Sequence, residues 1–356
     1  MALTPESSAG PLRVAVIGAT GNVGTAVLRR LQRAALERPG GLEILGFARR
    51  TPDTTVAPYA GCQWHGLDVG TDEGRRDLTV ALDGVDAVVH LAWAIQPNRN
   101  EAAMHRTNVT GTANALQAAA DAGVRHFVCA SSVGAYLPAT KGQRVDEGWP
   151  HGGIKTSHYS RHKGKQEALL DDFAARHPET VVTRLRPGLI FQQDAGSEIG
   201  RYFLGPLVPK FLLDRLRLPL LPIPEQLVFQ AVHADDVADA YWRAVDRRVP
   251  GAFNIAAEPI LTPTRLASQL GARRVVGLPV RLLRAVVGVS WALGLQRTDP
   301  GWIDMATQAP LMETDRARTL LGWEPEHSSL DAMSAVLTGL SAGDGVSASP
   351  ALKPRN

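Results

Sequence analysis

Cysteine is nearly missing from this 356-residue chain, with only Cys62 and Cys129. Two cysteines make no disulfide framework and no metal-binding spacing, and they fit a reducing cytosol. Lysine is also scarce: six against 32 arginines. No run of five like charges occurs, and 38 basic against 35 acidic residues leave a net charge of only +3. That balance argues against nucleic-acid binding despite a pI near 9.0. Met1–Pro11 has no apolar core, so no signal peptide is expected. The longest apolar stretch, Ala285–Leu295, falls short of the roughly 20 residues that span a bilayer. It reads as a buried or surface-lying helix, and no membrane insertion is expected. A cytoplasmic location follows as the expectation.

What is present is ordinary globular composition, 44% hydrophobic and 21% charged. The length suggests about two domains at roughly 150 residues each. Strand-like runs at Arg13–Ile17, Leu42–Phe47, Val85–Leu91, His126–Ser131 and Thr180–Arg186 alternate with helical patterns at Val23–Arg33, Glu101–Ala122 and Tyr159–Arg176. Such alternation predicts a doubly wound α/β fold of the Rossmann type, with a parallel sheet covered on both faces. Beyond Pro187 the alternation weakens. Strand-like Val228–Val232 and Ala252–Ile255 each feed a helix, Asp236–Val245 and Thr264–Gly271. The expected division is a dinucleotide-binding domain over 13–188 and a smaller substrate lobe over 189–340, interleaved with the last sheet strands. Disordered tails are expected at 1–12 and 341–356.

The loop Gly18-Ala-Thr-Gly-Asn-Val-Gly24 follows the first strand and opens the first helix. Gly18 permits the tight turn, Gly21 lets backbone approach a pyrophosphate, and Gly24 lets helix and strand pack closely. Thr20, Asn22 and Val23 share that loop and its helix N-terminus, which favours anions. At the end of the second strand stand Arg49 and Arg50 with no carboxylate, which favours NADP over NAD; the alternative is two solvated surface arginines. Asp68, followed by Val69, could accept from an adenine amino group or simply cap a turn.

Tyr159 and Lys163 lie four apart, on one helix face. A phenol is a poor acid–base at neutral pH, and a cation one turn away would lower its pKa. The tuned Tyr159 could then exchange a proton with a carbonyl or carbinol oxygen while hydride moves to or from nicotinamide. Lys163 could also hold the nicotinamide ribose. Ser132, at a strand end 27 residues earlier, could polarise the same oxygen. The plain alternatives are a surface helix pair and a turn serine. Neither His90 nor His233-Ala-Asp-Asp236 is read as a metal site. Asp235 is expected to cap the next helix, and both histidines to be structural.

Together these motifs resemble the extended short-chain dehydrogenase/reductase family, of the NAD(P)-dependent epimerase/dehydratase type. The resemblance spans about 13–325. It rests on Gly18/Gly21/Gly24, Asp68, His90-Leu-Ala-Trp93, Asn108-Val-Thr-Gly-Thr-Ala-Asn114, Ala130-Ser-Ser-Val-Gly-Ala-Tyr136, Tyr159/Lys163, Arg186-Pro-Gly188, Val232–Val237, Asn254-Ile255 and Leu321–Pro325. It implies Ser132, Tyr159, Lys163 and Asn108 as catalytic, with Asn108 ordering its helix or a relay water. Leu91, Ala92 and Pro187 join the cofactor contacts. Trp93, Gly188 and Leu189 join Ser132 and Tyr159 at the substrate, and a homodimer forms through the helices near 101–122 and 159–176.

Two departures shape the substrate reading. Trp93 replaces a small residue beside the nicotinamide. Leu189 stands where nucleotide-sugar members lead into an Asn, and a leucine cannot hydrogen-bond a nucleotide. The apolar stretch Tyr202–Pro224, with Phe203, Leu204 and Val208, would line a hydrophobic pocket or form lobe core. The leading expectation is an NADP-preferring oxidoreductase that interconverts a carbonyl and a secondary alcohol on a small apolar substrate. The alternative is a nucleotide-sugar epimerase or dehydratase with tightly held NAD. A non-catalytic NADP sensor ranks third, since such relatives lack the Tyr-x-x-x-Lys pair found here.

Overall fold

The computed structural model describes residues 10–95, 99–204 and 219–354. Most of the apolar stretch expected near the substrate, including Val208, lies outside the described residues, as does the N-terminal tail up to residue 9.

In chain order the elements begin with β1 (Leu12–Ile17), α1 (Asn22–Glu37), β2 (Leu42–Ala48), β3 (Gln63–Gly66), α2 (Asp72–Ala81) and β4 (Ala87–His90). Next come α3 (Glu101–His105), α4 (Gly111–Asp121), β5 (His126–Ala130), β6 (Arg144–Val145), α5 (His158–Arg176) and β7 (Val181–Pro187). Then follow β8 (Leu189–Phe191), α6 (Gly196–Ile199), β9 (Leu221–Ile223), β10 (Ala231–His233), α7 (Ala234–Arg247) and β11 (Gly251–Ile255). The chain closes with α8 (Pro263–Gln269), β12 (Val275–Gly277), α9 (Val280–Ala292), α10 (Gly301–Gln308), β13 (Leu311–Met312) and α11 (Ser329–Ala342).

Seven strands form one parallel sheet, ordered β11-β7-β5-β4-β1-β2-β3. Its central strands are apolar throughout, such as Val14–Ile17 and Ala87–Val89, because helices cover both faces. On one face α1 and α7 pack over a core that includes Leu28, Leu31, Val237, Tyr241 and Trp323. On the other face lie α2, α4 and α5 over Leu78, Leu116, Phe127 and Phe173. Both layers leave the carboxyl ends of β1, β4 and β5 open at one edge, where ligands of such sheets sit.

Three expectations change. The helix expected over Glu101–Ala122 is interrupted by a π-turn at Arg106–Thr110, which widens the coil and sets buried Asn108 inward. The cap of α7 is His233, whose Nδ1 accepts from Asp235 N–H at 3.3 Å; Asp235 is not the cap. Asp236 instead accepts from Glu326 and His327 backbone N–H groups at 3.0 and 3.1 Å. The C-terminal tail is placed through residue 354. Ser349 and Leu352 are fully buried, and Val346 and Ala348 pack on the first core. Small apolar side chains and the Ser349 hydroxyl, which bonds the Thr20 carbonyl at 2.7 Å, give this tail its order.

Two buried histidines make stability depend on acid. Burial pushes His90 down to about 3 and His126 down to about 4. Below pH ~6.5 the unfolded chain binds protons that the folded rings refuse, so stability falls as pH falls. The loss is about 1.4 kcal/mol per histidine per pH unit. A urea midpoint clearly lower at pH 5 than at pH 7.5 is expected; an unchanged midpoint would contradict neutral burial.

Candidate active site

The glycine loop forms the first part of the site. Gly18 holds φ +89, and a Cβ there would lie 2.7 Å from the Ala92 nitrogen, so only glycine fits against the end of β4. Gly24 packs against the Gly18 carbonyl, also with no room for a Cβ. Gly21 differs: a Cβ would meet only the Gly18 oxygen, at 3.6 Å. The protein itself does not require glycine there, which leaves a cradle for an approaching group. Helix α1 starts at this point with no side-chain cap and no acid in its first turn. Its free N–H groups suit a pyrophosphate. The residues present therefore fit a dinucleotide.

Around that cradle the expected contacts take up varied positions. Asn22 accepts from the Gln192 amide through its backbone and side-chain oxygens. Val23 packs on the core. The Leu91 N–H donates to the Ile17 carbonyl at 2.8 Å. Arg49 and Arg50 are exposed at the end of β2, and Arg50 donates to the Pro350 carbonyl at 3.1 Å. Asp68 closes a turn onto the Gly70 N–H at 2.9 Å with one carboxylate oxygen. Val69 is buried against α4, and its carbonyl accepts from Asn114 at 2.7 Å.

The second part gathers at the end of β5. Successive residues of an extended chain point opposite ways, and the Ser131-Ser132 pair divides accordingly. Ser131 donates to Glu167 beneath the sheet end at 2.5 Å. Ser132 and Tyr159 both lie against Gly134, and the Ser132 hydroxyl favours the ionised phenol. Ser132 also accepts from Gly134 N–H at 3.0 Å, so it caps a short turn as well. Helix α5 begins at His158, capped by Ser157, and this places Tyr159 in its first turn.

Lys163 lies one turn on, almost fully buried. Its Nζ donates to the Ala130 carbonyl at 2.6 Å and to Gln166 at 3.0 Å. Its third direction faces the Trp93 ring, 3.5 Å from the centroid. Burial pushes this amine down to about 7. The expected lowering of the Tyr159 pKa by Lys163 is not what the structure has. Burial raises the phenol above its usual value, and the nearby Ser132 hydroxyl opposes this only in part. The reason is geometric: the ammonium is turned to Ala130, Gln166 and Trp93.

Asn108 was expected among the catalytic groups. Its side chain grips Ala94, taking its N–H at 2.6 Å and giving to its C=O at 2.9 Å, and also reaches His162 Nδ1 at 3.5 Å. It therefore fixes the strand exit that carries Trp93. Trp93 meets Tyr159 edge-on at 5.7 Å, and its indole N–H is buried without a partner among the described residues.

Sequence reasoning missed the opposite wall. Trp302 of α10 lies 5.1 Å from the Tyr159 ring, and Met305 lies beside Gly134 and Tyr159. No motif marks that stretch; a tryptophan in a short late helix was the only signal. Gly188 and Leu189 lie where β7 passes into β8. A Cβ on Gly188 would strike the Gln230 carbonyl at 2.6 Å, and Leu189 opens β8, which pairs with β10. Pro187 ends β7 beside Ile255. Among the described residues no His/Cys/Asp/Glu cluster could hold a metal.

A glycine cradle at β1, a Ser–Tyr pair at β5 and a Lys one turn along α5 define the class of short-chain dehydrogenase/reductase scaffolds. The chain belongs to the NAD dependent epimerase/dehydratase family, whose sequence model matches residues 14–256. An uncharacterized protein of Mycobacterium tuberculosis is 28% identical over 320 residues, covering 88% of this chain. The chain spans only 28% of that relative's length. A 4-hydroxy-2-methyl-3-oxo-4-farnesyl-3,4-dihydroquinoline-1-oxide ketoreductase of Stigmatella aurantiaca is 27% identical over 183 residues, 51% of this chain and 52% of that one. Among solved structures, UDP-glucose 4-epimerase with UDP-glucose from Thermotoga maritima superposes with TM-score 0.67 at 18% identity, covering 93% and 99% of the two chains. dTDP-glucose 4,6-dehydratase from Streptomyces venezuelae with NAD bound gives 0.65 at 20%, covering 92% and 96%. At those identities the likeness is one of fold.

Proposed function

We propose that this chain is an NADP-preferring reductase acting on the carbonyl of a flat, apolar substrate. The observation that carries this reading is the Ser132–Tyr159 hydroxyl pair set between Trp93, Trp302 and Met305. Aromatic and thioether walls stabilise an apolar body by burial. The two hydroxyls and the unpartnered Trp93 N–H supply polar contacts at one end.

A bound nicotinamide cofactor would supply the hydride. The cradle at Gly21 would hold its pyrophosphate, and Lys163 would hold ribose hydroxyls once its third N–H turns from Trp93. Ser132 would bond the substrate oxygen. Tyr159, kept protonated by its raised pKa, would give its proton to that oxygen as the carbon is reduced. The same resemblance would pair two copies through α4 and α5.

The second reading, nucleotide-sugar epimerisation with retained NAD, is favoured by the family's description and by the solved neighbours. Incubation with NADPH and either planar ketones or nucleotide sugars separates the two. Stoichiometric loss of nicotinamide absorbance with a ketone supports reduction; sugar isomers without net loss overturn it.

NADP preference rests on Arg49 and Arg50. Replacing both with Gln should weaken NADPH binding at least ~tenfold, about 1.4 kcal/mol, and leave NADH within ~twofold. Equal effects on the two cofactors would remove the arginines from this role.

A further inference from the structure

Helix α9 has no buried residue. Leu282, Val286, Val289 and Leu293 stand 53 to 69% exposed. At 100° per residue these four fall within one narrow stripe. Val276, in β12 just before α9, is exposed too, as is Leu220 just before the strand paired with it. Isolated exposed leucines need no explanation, but a contiguous apolar stripe does.

Charge says what this face would meet. From Pro259 to Thr298 there are six arginines and no acidic residue. That segment carries +6, while the whole chain is only +3, so the rest is left at −3. Arg284 is bound to Asp304 at 2.8 Å. Arg273, Arg274 and Arg281 are exposed in the same segment. A second copy docking through this face about a two-fold axis would set arginine against arginine, with no acid in the segment to offset them. An apolar stripe flanked by exposed cations matches the headgroup and acyl boundary of an anionic bilayer.

We infer that α9 docks this chain on the surface of anionic membranes, lying in the interface without crossing it. No helix among the described residues is long and apolar enough to span a bilayer. The placement bears on the site. Helix α9 packs on α10, which carries Trp302 and Met305. Arg99, beyond the strand exit that holds Trp93, donates to the Trp291 carbonyl on α9 and stacks on its ring. A membrane-bound α9 would set the aromatic pocket beside the bilayer, where an apolar ketone partitions. This last step rests on the proposed reductase reading; the docking itself does not.

The test is co-sedimentation of the full chain with phosphatidylcholine vesicles, alone or with a third of the lipid replaced by phosphatidylglycerol. Binding is expected only with phosphatidylglycerol and should weaken as salt rises. Arg281→Gln should reduce it about fivefold, the equivalent of ~1 kcal/mol per basic residue. Val286→Glu with Val289→Glu should abolish it. Turnover of a water-soluble ketone should be unchanged in both variants. Failure to bind either vesicle overturns the inference, as does binding insensitive to the double variant. A dimer in solution that the double variant dissociates would also overturn it, making this face a self-interface. Loss of turnover on every ketone would sink the reductase reading and leave the vesicle result standing.

Discussion

Tyr159→Phe removes turnover and leaves the cofactor bound. The ring remains between Trp93 and Trp302, at 5.7 and 5.1 Å, so the pocket keeps its shape. Only the hydroxyl that would give the proton is lost. General acid catalysis contributes roughly 10²–10⁴-fold, so kcat should fall about a thousandfold. NADPH affinity, which the proposed cradle at Gly18–Gly24 would set, should stay within about twofold. Steady-state kinetics and a fluorescence titration read the two separately. Undiminished turnover would remove Tyr159 from the chemistry.

The second large effect concerns stability. Glu167 is fully buried beneath the end of β5. It accepts from Arg186 at 2.8 and 2.9 Å, from Arg184 at 2.9 Å and from Ser131. Burial pushes its carboxyl up, but the bonds and charges of the two arginines outweigh that and hold it at about 2. Its contribution is therefore present above pH ~4.5 and lost only as pH falls toward 2. Glu167→Ala strands the buried Arg186 guanidinium, while Arg184 keeps Asp171 at 2.6 Å, and should cost about 3–5 kcal/mol, since breaking a buried pair leaves an uncompensated charge. Replacing Glu167, Arg184 and Arg186 together with Met should cost less than the single change. Denaturant unfolding distinguishes these outcomes, and a single-variant loss below ~1 kcal/mol would show that the network adds little.

The fold was legible because its signals are local. Val14–Ile17 running into Gly18, and apolar strands alternating with amphipathic helices, state a parallel sheet without reference to distant residues. Tyr159 and Lys163 stood out for the same reason, through helix spacing, and Ser132 through its place at a strand end and the family resemblance. What escaped depends on contacts far apart in sequence. Trp302 reaches Tyr159 across more than a hundred residues. Asn108 turns inward because of a π-turn that periodicity does not reveal. Ser349 and Leu352 order a tail whose composition suggests disorder. The Lys163 amine points to Trp93 and the Ala130 carbonyl, a direction that helix spacing alone does not give.

Net hydride transfer is the claim on which the rest depends. The most direct measurement uses NADPH deuterated at the transferred position with a planar apolar ketone, followed by absorbance and mass spectrometry. The account predicts one cofactor oxidised per alcohol formed, with the deuterium on the new carbinol carbon. Isomerised nucleotide sugar with the cofactor spectrum unchanged, and no consumption with any ketone, would contradict it.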